Sequence, residues 1–276
     1  MLAVISDLHF RDGTAGEHNL PARAFEGFLS DLATDARKAR AEDVTLVFLG
    51  DIFDLLRTEA WLEVPQEERP WGATPGSLHK VAAHAHRILD AILEHPVNRE
   101  SFALLSSRLS ERFPLFPAEP KRVYVLGNHD RLCAQFPSLL QKARQALGAE
   151  TDAPLHRYVN ARYGVLARHG HEHDAYNYEG SDAFDDKDYL PVPIGEAVTA
   201  ELVVRLPYTL MQHPKVQALP PEEQQAIKHN VQEIEHVRPL SAIPTWLLSQ
   251  VQRNPWLREA IEDAIDEVIE AFKKLT

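Results

Sequence analysis

Three short stretches, residues 2–6, 44–49 and 123–126, are apolar and β-branched almost without interruption, and each runs directly into a cluster of glycine, aspartate, asparagine or histidine. A strand with one wet face alternates apolar and polar residues. A strand buried on both faces reads as a continuous apolar run, the pattern of a parallel sheet covered by helices. Helix-like stretches at residues 22–40, 77–94, 101–112 and 138–147 separate the runs. Strand alternating with helix predicts an α/β domain with a mainly parallel sheet. A fourth strand is expected at residues 163–167, preceded by a candidate partner at 156–159.

From about residue 195 the β-branched runs stop and helical periodicity continues almost to the end, which divides the chain into an α/β unit, 1–194, and a helical cap or insertion, 195–276. The last helix is the clearest. Asn254 is placed to cap it, Pro255 suits the first turn, and Lys273 and Lys274 suit the C-terminal dipole. Its stripe of Leu257, Ile261, Ile265, Val268, Phe272 and Leu275 predicts a packed surface helix, with a partner-binding or homo-oligomer face as the alternative. Residues 56–76 carry Trp61, Trp71 and three prolines and read as a loop pinned to the core rather than as a cleft wall.

Composition narrows the function. A net charge of -12 disfavours a broad basic face for nucleic acid, although a local positive site is compatible with it. One cysteine, Cys133, excludes a disulfide framework and a thiolate metal cluster. With no basic n-region and no apolar run near the roughly 18 residues of a membrane span, the chain reads as soluble and cytoplasmic. There is no phosphate-binding glycine loop, no dinucleotide fingerprint and no serine elbow. The acidic run Asp182, Asp185, Asp186 and Asp188 reads as a solvated loop.

Histidine is abundant, at 14 residues. His79, His84, His86, His229 and His236 lie on helix-like stretches and read as ordinary. Others fall at strand ends, where an open α/β sheet builds its ligand crevice. The first strand ends in Asp7 and His9, the second in Gly50, Asp51 and Asp54, the third in Gly127, Asn128, His129 and Asp130. The fourth candidate ends in His169, Gly170, His171, Glu172 and His173. Residues two apart in an extended segment point the same way, so Asp7 and His9 can reach one ion. Gly50 and Gly127 permit a sharp turn and a close approach. Oxygen and imidazole donors without sulfur suit Mn, Fe, Zn or Mg. A carboxylate such as Asp51 can bridge two cations, the arrangement used for displacement at phosphorus.

The ordered set DLH (7–9), GDIFD (50–54), GNHD (127–130) and strand-end HG (169–170) resembles the calcineurin-like metallophosphoesterase superfamily over residues 1 to about 174. The resemblance implies a catalytic domain built as a two-sheet β-sandwich flanked by helices (αββα). It implies hydrolysis of a phosphomonoester, phosphodiester or pyrophosphate by water activated between two divalent cations, manganese first among them. It gives Asp7 and His9 to one cation, Asp51 to both, and Asn128 and His169 to the other. His129 would protonate the leaving oxygen and Asp130 would orient that imidazole, while Asp54 would support its loop. The substrate expected under a helical cap is a phosphorylated small molecule or nucleotide. A nuclease of the same superfamily is the enzymatic alternative, and a binding or scaffold module is the non-enzymatic one.

The chain also departs from the family, whose members carry a later glycine-histidine-x-histidine motif that completes both metal shells. Here the only such string is GHEH, 170–173, overlapping the fourth motif. At about 3.3 Å per extended residue, His169, His171 and His173 would span about 13 Å, too far to meet one compact metal pair. His169 is therefore taken as the ligand and the closing motif as missing, as in an N-terminal part of a longer protein. The alternative is a compact variant in which His171 and His173 complete the shells.

Overall fold

The apolar runs pair as their composition demands. In the computed structural model, which describes residues 1–151, 156–180 and 189–274, β1 (Leu2–Ile5), β2 (Thr45–Leu49) and β3 (Lys121–Val125) form a parallel sheet in the order β1-β2-β3. Val4 lies opposite Val47, and Val47 opposite Val123. Parallel neighbours require long crossovers. α1 (Ala22–Lys38) lies in the first; α2 (Leu78–Glu94), α3 (Pro96–Leu105) and the short α4 (Leu109–Arg112) lie in the second. After β3 come α5 (Leu132–Gln135) and α6 (Pro137–Leu147).

Successive strand residues point to opposite faces, so one sheet face carries Leu46, Phe48 and Tyr124 into the main core with Phe25, Leu29, Ile88 and Phe102. The other face carries Val47, Val123 and Val125, met by Tyr158. Tyr158 belongs to β4 (Tyr158–Asn160), which pairs antiparallel with β5 (Val165–Ala167) as a separate two-stranded sheet. The architecture is thus α/β with a small parallel sheet, and among the described residues the valine face is met by this hairpin. Because that hairpin covers little, Val4 is 43% exposed, and β1 is not buried on both faces as its composition suggested.

The helix expected over 101–112 instead starts at Pro96 and breaks at 106–108. The hydroxyls of Ser106 and Ser107 donate to the carbonyls of Phe102 and Leu104, both at 2.7 Å, and close the helix end. The Glu119 carboxylate then accepts from the backbone N–H of Leu109 and Ser110 at the start of α4. The segment after β2 is a pinned loop, as expected. Trp61 is fully buried and donates to the Leu55 carbonyl at 2.8 Å, and neither tryptophan lines the cleft at the strand ends.

The C-terminal segment has a core of its own. It comprises α7 (Ile194–Val198), a π-helical turn (Thr199–Val204), α8 (Arg205–Gln212), α9 (Pro214–Gln217), α10 (Pro221–Gln232), α11 (Ile243–Arg253) and α12 (Arg258–Lys273). Leu206, Leu210, Ile234, Leu247 and Val268 are among the residues that close this core. Most of the apolar stripe of α12 packs into it, although Asn254 provides no side-chain cap and Pro255 opens a 3-10 turn rather than the helix. Leu275 and the acidic run Asp182, Asp185, Asp186 and Asp188 lie outside the described residues.

The two units are joined by buried polar contacts. Arg131 binds Glu196 and the Tyr189 carbonyl, while Glu201 accepts from Arg69 Nη1 and Trp71 Nε1, each at 2.8 Å. Burial pushes the Glu201 carboxyl up, but the bonds and charges of Arg205, Trp71 and Arg69 outweigh it and hold it below its usual value. A carboxyl depressed in the fold stabilises it fully above the unfolded pKa, and that contribution disappears as pH falls through the folded value. Glu201→Gln is therefore expected to lower stability at pH 7 by about 2–3 kcal/mol, the usual worth of charge-assisted bonds. The difference from wild type should shrink below about pH 4, near the unfolded carboxyl pKa. Urea denaturation at both pH values checks this; equal loss at both would separate the effect from the charge.

Candidate metal centre

Where β1 and β2 end, the chain enters conformations that side chains rarely adopt. Asp7, His9 and Asp51 have φ of 55°, 45° and 52°, and they account for three of the four positive-φ non-glycine residues among those described. Each costs of order 1–3 kcal/mol and persists only where the surroundings fix it. Backbone bonds between the two loops provide that fixing: Asp7 N–H donates to the Gly50 carbonyl at 3.1 Å and His9 N–H to that of Asp51 at 2.9 Å. The strain aims three consecutive candidate ligands at one point.

Asp51 sits at that point, almost fully buried. Its Oδ1 accepts from the His129 N–H at 2.9 Å, while Oδ2 faces His169 Nε2 at 3.4 Å and His9 Nε2 at 3.7 Å. Two groups of potential ligands share it: Asp7, Asp51 and His169, and His9, Asp51 and His129, the ligand atoms of each lying within 4.8 Å of one another. Asp51 belongs to both groups, Asp7 falls in the one with His169, and His9 in the one with His129. Asn128 lines the same cleft, which has a volume of about 460 Å³.

The imidazoles are oriented from behind. Nδ1 of His169 donates to the Leu49 carbonyl at 3.0 Å, leaving Nε2 toward Asp51. Nδ1 of His129 donates to Asp54 Oδ1 at 2.8 Å, and Nδ1 of His9 to Asp54 Oδ2 at 3.2 Å. A carbonyl or carboxylate can only accept, so each ring is held in the tautomer that leaves Nε2 available to an ion or a substrate. Asp54, fully buried, thus does more than support its loop.

The part expected of Asp130 falls to Asp54. Asp130 does not meet the His129 ring; its carboxylate accepts from Tyr124 Oη and Gly127 N–H, both at 2.6 Å, and from Ile52 N–H at 3.1 Å, tying the second and third strand ends together. Burial, with the Asp51 charge nearby, pushes its carboxyl up to about 6.

Burial also works to raise Asp51 and Asp54, but His129 and the other cations around them prevail and hold both well below the usual carboxylate range. Burial pulls His169 down, yet its bond to Asp51 and the charge of Asp51 prevail and push it up to about 9. His129 is likewise raised, by Asp54 and Asp51, against its burial. The centre is therefore an anionic pair of carboxylates facing imidazoles, a donor set that fits borderline divalent cations.

Residues 171–173 form a 3-10 turn rather than the extended segment expected. The His171 ring lies 5.4 Å from that of His169, buried between Tyr178 and Tyr189 at the cleft margin. His173 is exposed, and neither histidine falls within the two ligand groups among the described residues. Arg57 and, from the helical segment, Glu235 and Arg238 also line the cleft. Nothing in the sequence marked these three, because no motif surrounds them.

No protein-family model, curated protein or solved structure matches this chain. What its residues do rests on the motifs and on their geometry.

The two glycines have a steric reason. A Cβ on Gly50 would overlap the His169 ring, and one on Gly127 would overlap the Asp51 carboxylate and lie 2.5 Å from its backbone nitrogen. Gly127→Ala is expected to weaken manganese binding by at least about tenfold, as disturbing the support of a metal ligand does. Calorimetric titration with MnCl2 checks it, with the far-ultraviolet spectrum as control for folding. Unchanged affinity in a folded variant would show that Asp51 is not a ligand.

Proposed function

We infer that the chain is a metal-dependent phosphoesterase of the calcineurin-like type, with two divalent cations, manganese first among them, as its cofactor. The observation that carries this inference is the position of Asp51 at the carboxyl ends of parallel strands, grouped with Asp7 and His169 and also facing His9 Nε2 at 3.7 Å. The β4–β5 hairpin, set on the valine face of the main sheet, is compatible with the start of the second layer that an αββα sandwich requires.

When bound, the cations would polarise a phosphoryl oxygen and acidify an attacking water. The chain's own groups do the rest. Arg57 and Arg238 offer guanidinium donors to the non-bridging oxygens of a phosphate in the cleft. His129, fixed through Nδ1 by Asp54, carries a proton at Nε2 toward the leaving oxygen. Against its burial, the charges of Asp54 and Asp51 raise its pKa above the usual imidazole value, which favours the protonated ring. Thr199 and Val203 of the helical segment form part of the cleft wall, which favours a bounded substrate, a phosphorylated small molecule or a nucleotide, over a long duplex.

With bis-p-nitrophenyl phosphate and manganese, wild type should turn over and Asp51→Asn should lose metal content and turnover together. Full manganese-dependent activity in that variant would refute the site. His129→Ala should keep its manganese while kcat falls by about 10²–10⁴-fold, the usual worth of a general acid. Loss of metal in that variant would instead make His129 a ligand. Single-stranded and duplex oligonucleotides assayed beside the ester separate the nuclease, which would cleave them at comparable rates.

A further inference from the structure

Glu235 lies in the 3-10 turn Glu233–His236 that follows α10, far from the strand ends in sequence, yet its carboxylate faces the centre. Its Oε2 lies 2.8 Å from Arg11 Nη1 and 3.9 Å from Arg57 Nη1. Both guanidinia also face Asp54 Oδ2, Arg11 through Nε at 3.4 Å and Arg57 through the same Nη1 at 3.5 Å. Asp54 in turn holds His9 and His129 by Nδ1. Arg11 and Asp54 are 2% and 0% exposed, so solvent screens these contacts little.

We propose that Glu235 is a positioning residue: through Arg11 and Arg57 it holds Asp54 in place, and so sets the ring orientation of His9 and His129 from the helical segment. The charges alternate, two carboxylates with two guanidinia, and the box is neutral. Without the charge on Glu235, two guanidinium ions share one carboxylate. Asp54 is drawn toward them, its bonds to the imidazoles weaken, and the surplus positive charge opposes a cation at His9. The other groups facing Glu235 do not replace it: His236 approaches Oε1 at 3.4 Å but is itself mostly exposed, and Arg238 donates to the backbone carbonyls of Glu235 and Val237. The coupling runs through the Glu235 carboxylate and its two guanidinium partners, not through the seating of the helical segment at large.

The consequence for metal affinity rests on the function inferred above; the consequence for the rings does not, and the experiment separates them. In metal-free, ¹⁵N-labelled protein, the Nδ1–H resonances of His9 and His129 report their bonds to Asp54. Glu235→Gln, nearly isosteric, is expected to speed exchange of both protons with water about tenfold and to raise the manganese Kd by about tenfold, within the range for residues that orient ligands. Glu235→Asp, which keeps the charge, should restore most of both effects and answers the question if the glutamine variant fails to fold. Glu201→Gln, which loosens the helical segment at Arg69 and Trp71, should leave the ring protons unchanged. Unaltered ring protons in Glu235→Gln would overturn the proposal, even if manganese affinity fell, since the coupling would then bypass Asp54. Altered ring protons in a protein whose wild type binds no manganese would uphold the positioning role and refute the metal reading.

Discussion

Everything at the centre depends on where one carboxylate can sit. Asp51 is buried, in a left-handed conformation, between a glycine that precedes it and a glycine of the next strand that leaves it room. Burying an anion is costly unless cations or donors surround it. Here the His129 N–H, His9 and His169 do so, and each is fixed in turn by a carbonyl or carboxylate behind it. The sheet supplies the rigidity. Parallel register places three strand ends side by side, so Asp7, Asp51 and His129, each following a different strand, line one cleft without a loop having to find its place.

The same dependence explains how much was legible in sequence. That residues at strand ends share one cleft could be read because the apolar runs locate the ends and the period of a strand fixes which residues share a side. Asp7, His9, Asp51, Asn128 and His169 all line one cleft for that reason. Their grouping could not be read, because it depends on left-handed turns at Asp7 and His9 that break the strand period. The partner of His129 was misplaced for a related reason. Asp130 is its neighbour in the chain, but adjacent side chains diverge, and the carboxylate that reaches the ring comes from 75 residues away. At His171 and His173 the strand does not continue: Gly170, at φ of 101°, turns the chain into a 3-10 coil.

Composition foretold less of the second layer. Residues 156–159 and 163–167 do pair, but a hairpin of three-residue strands covers only part of the valine face, and Val4, Val159 and Leu166 stay exposed. A parallel sheet normally has both faces covered. A continuous apolar run therefore records what a strand is suited to meet, not what the described residues bring against it.

The net charge of -12 also changes meaning once the contacts are known. Several acids are spent inside, at Asp51, Asp54, Asp130, Glu196 and Glu201, where each faces arginine, histidine, tyrosine or backbone donors. Glu235 belongs with them although it arrives from the helical segment. Its charge is balanced across the boundary between two hydrophobic cores, by Arg11 and Arg57 of the α/β unit. Breaking such a buried pair would leave an uncompensated charge, so these contacts hold the two units together. The cleft is lined from both units, by Asp51 and His169 of the one and by Thr199 and Val203 of the other, rather than lying within either core.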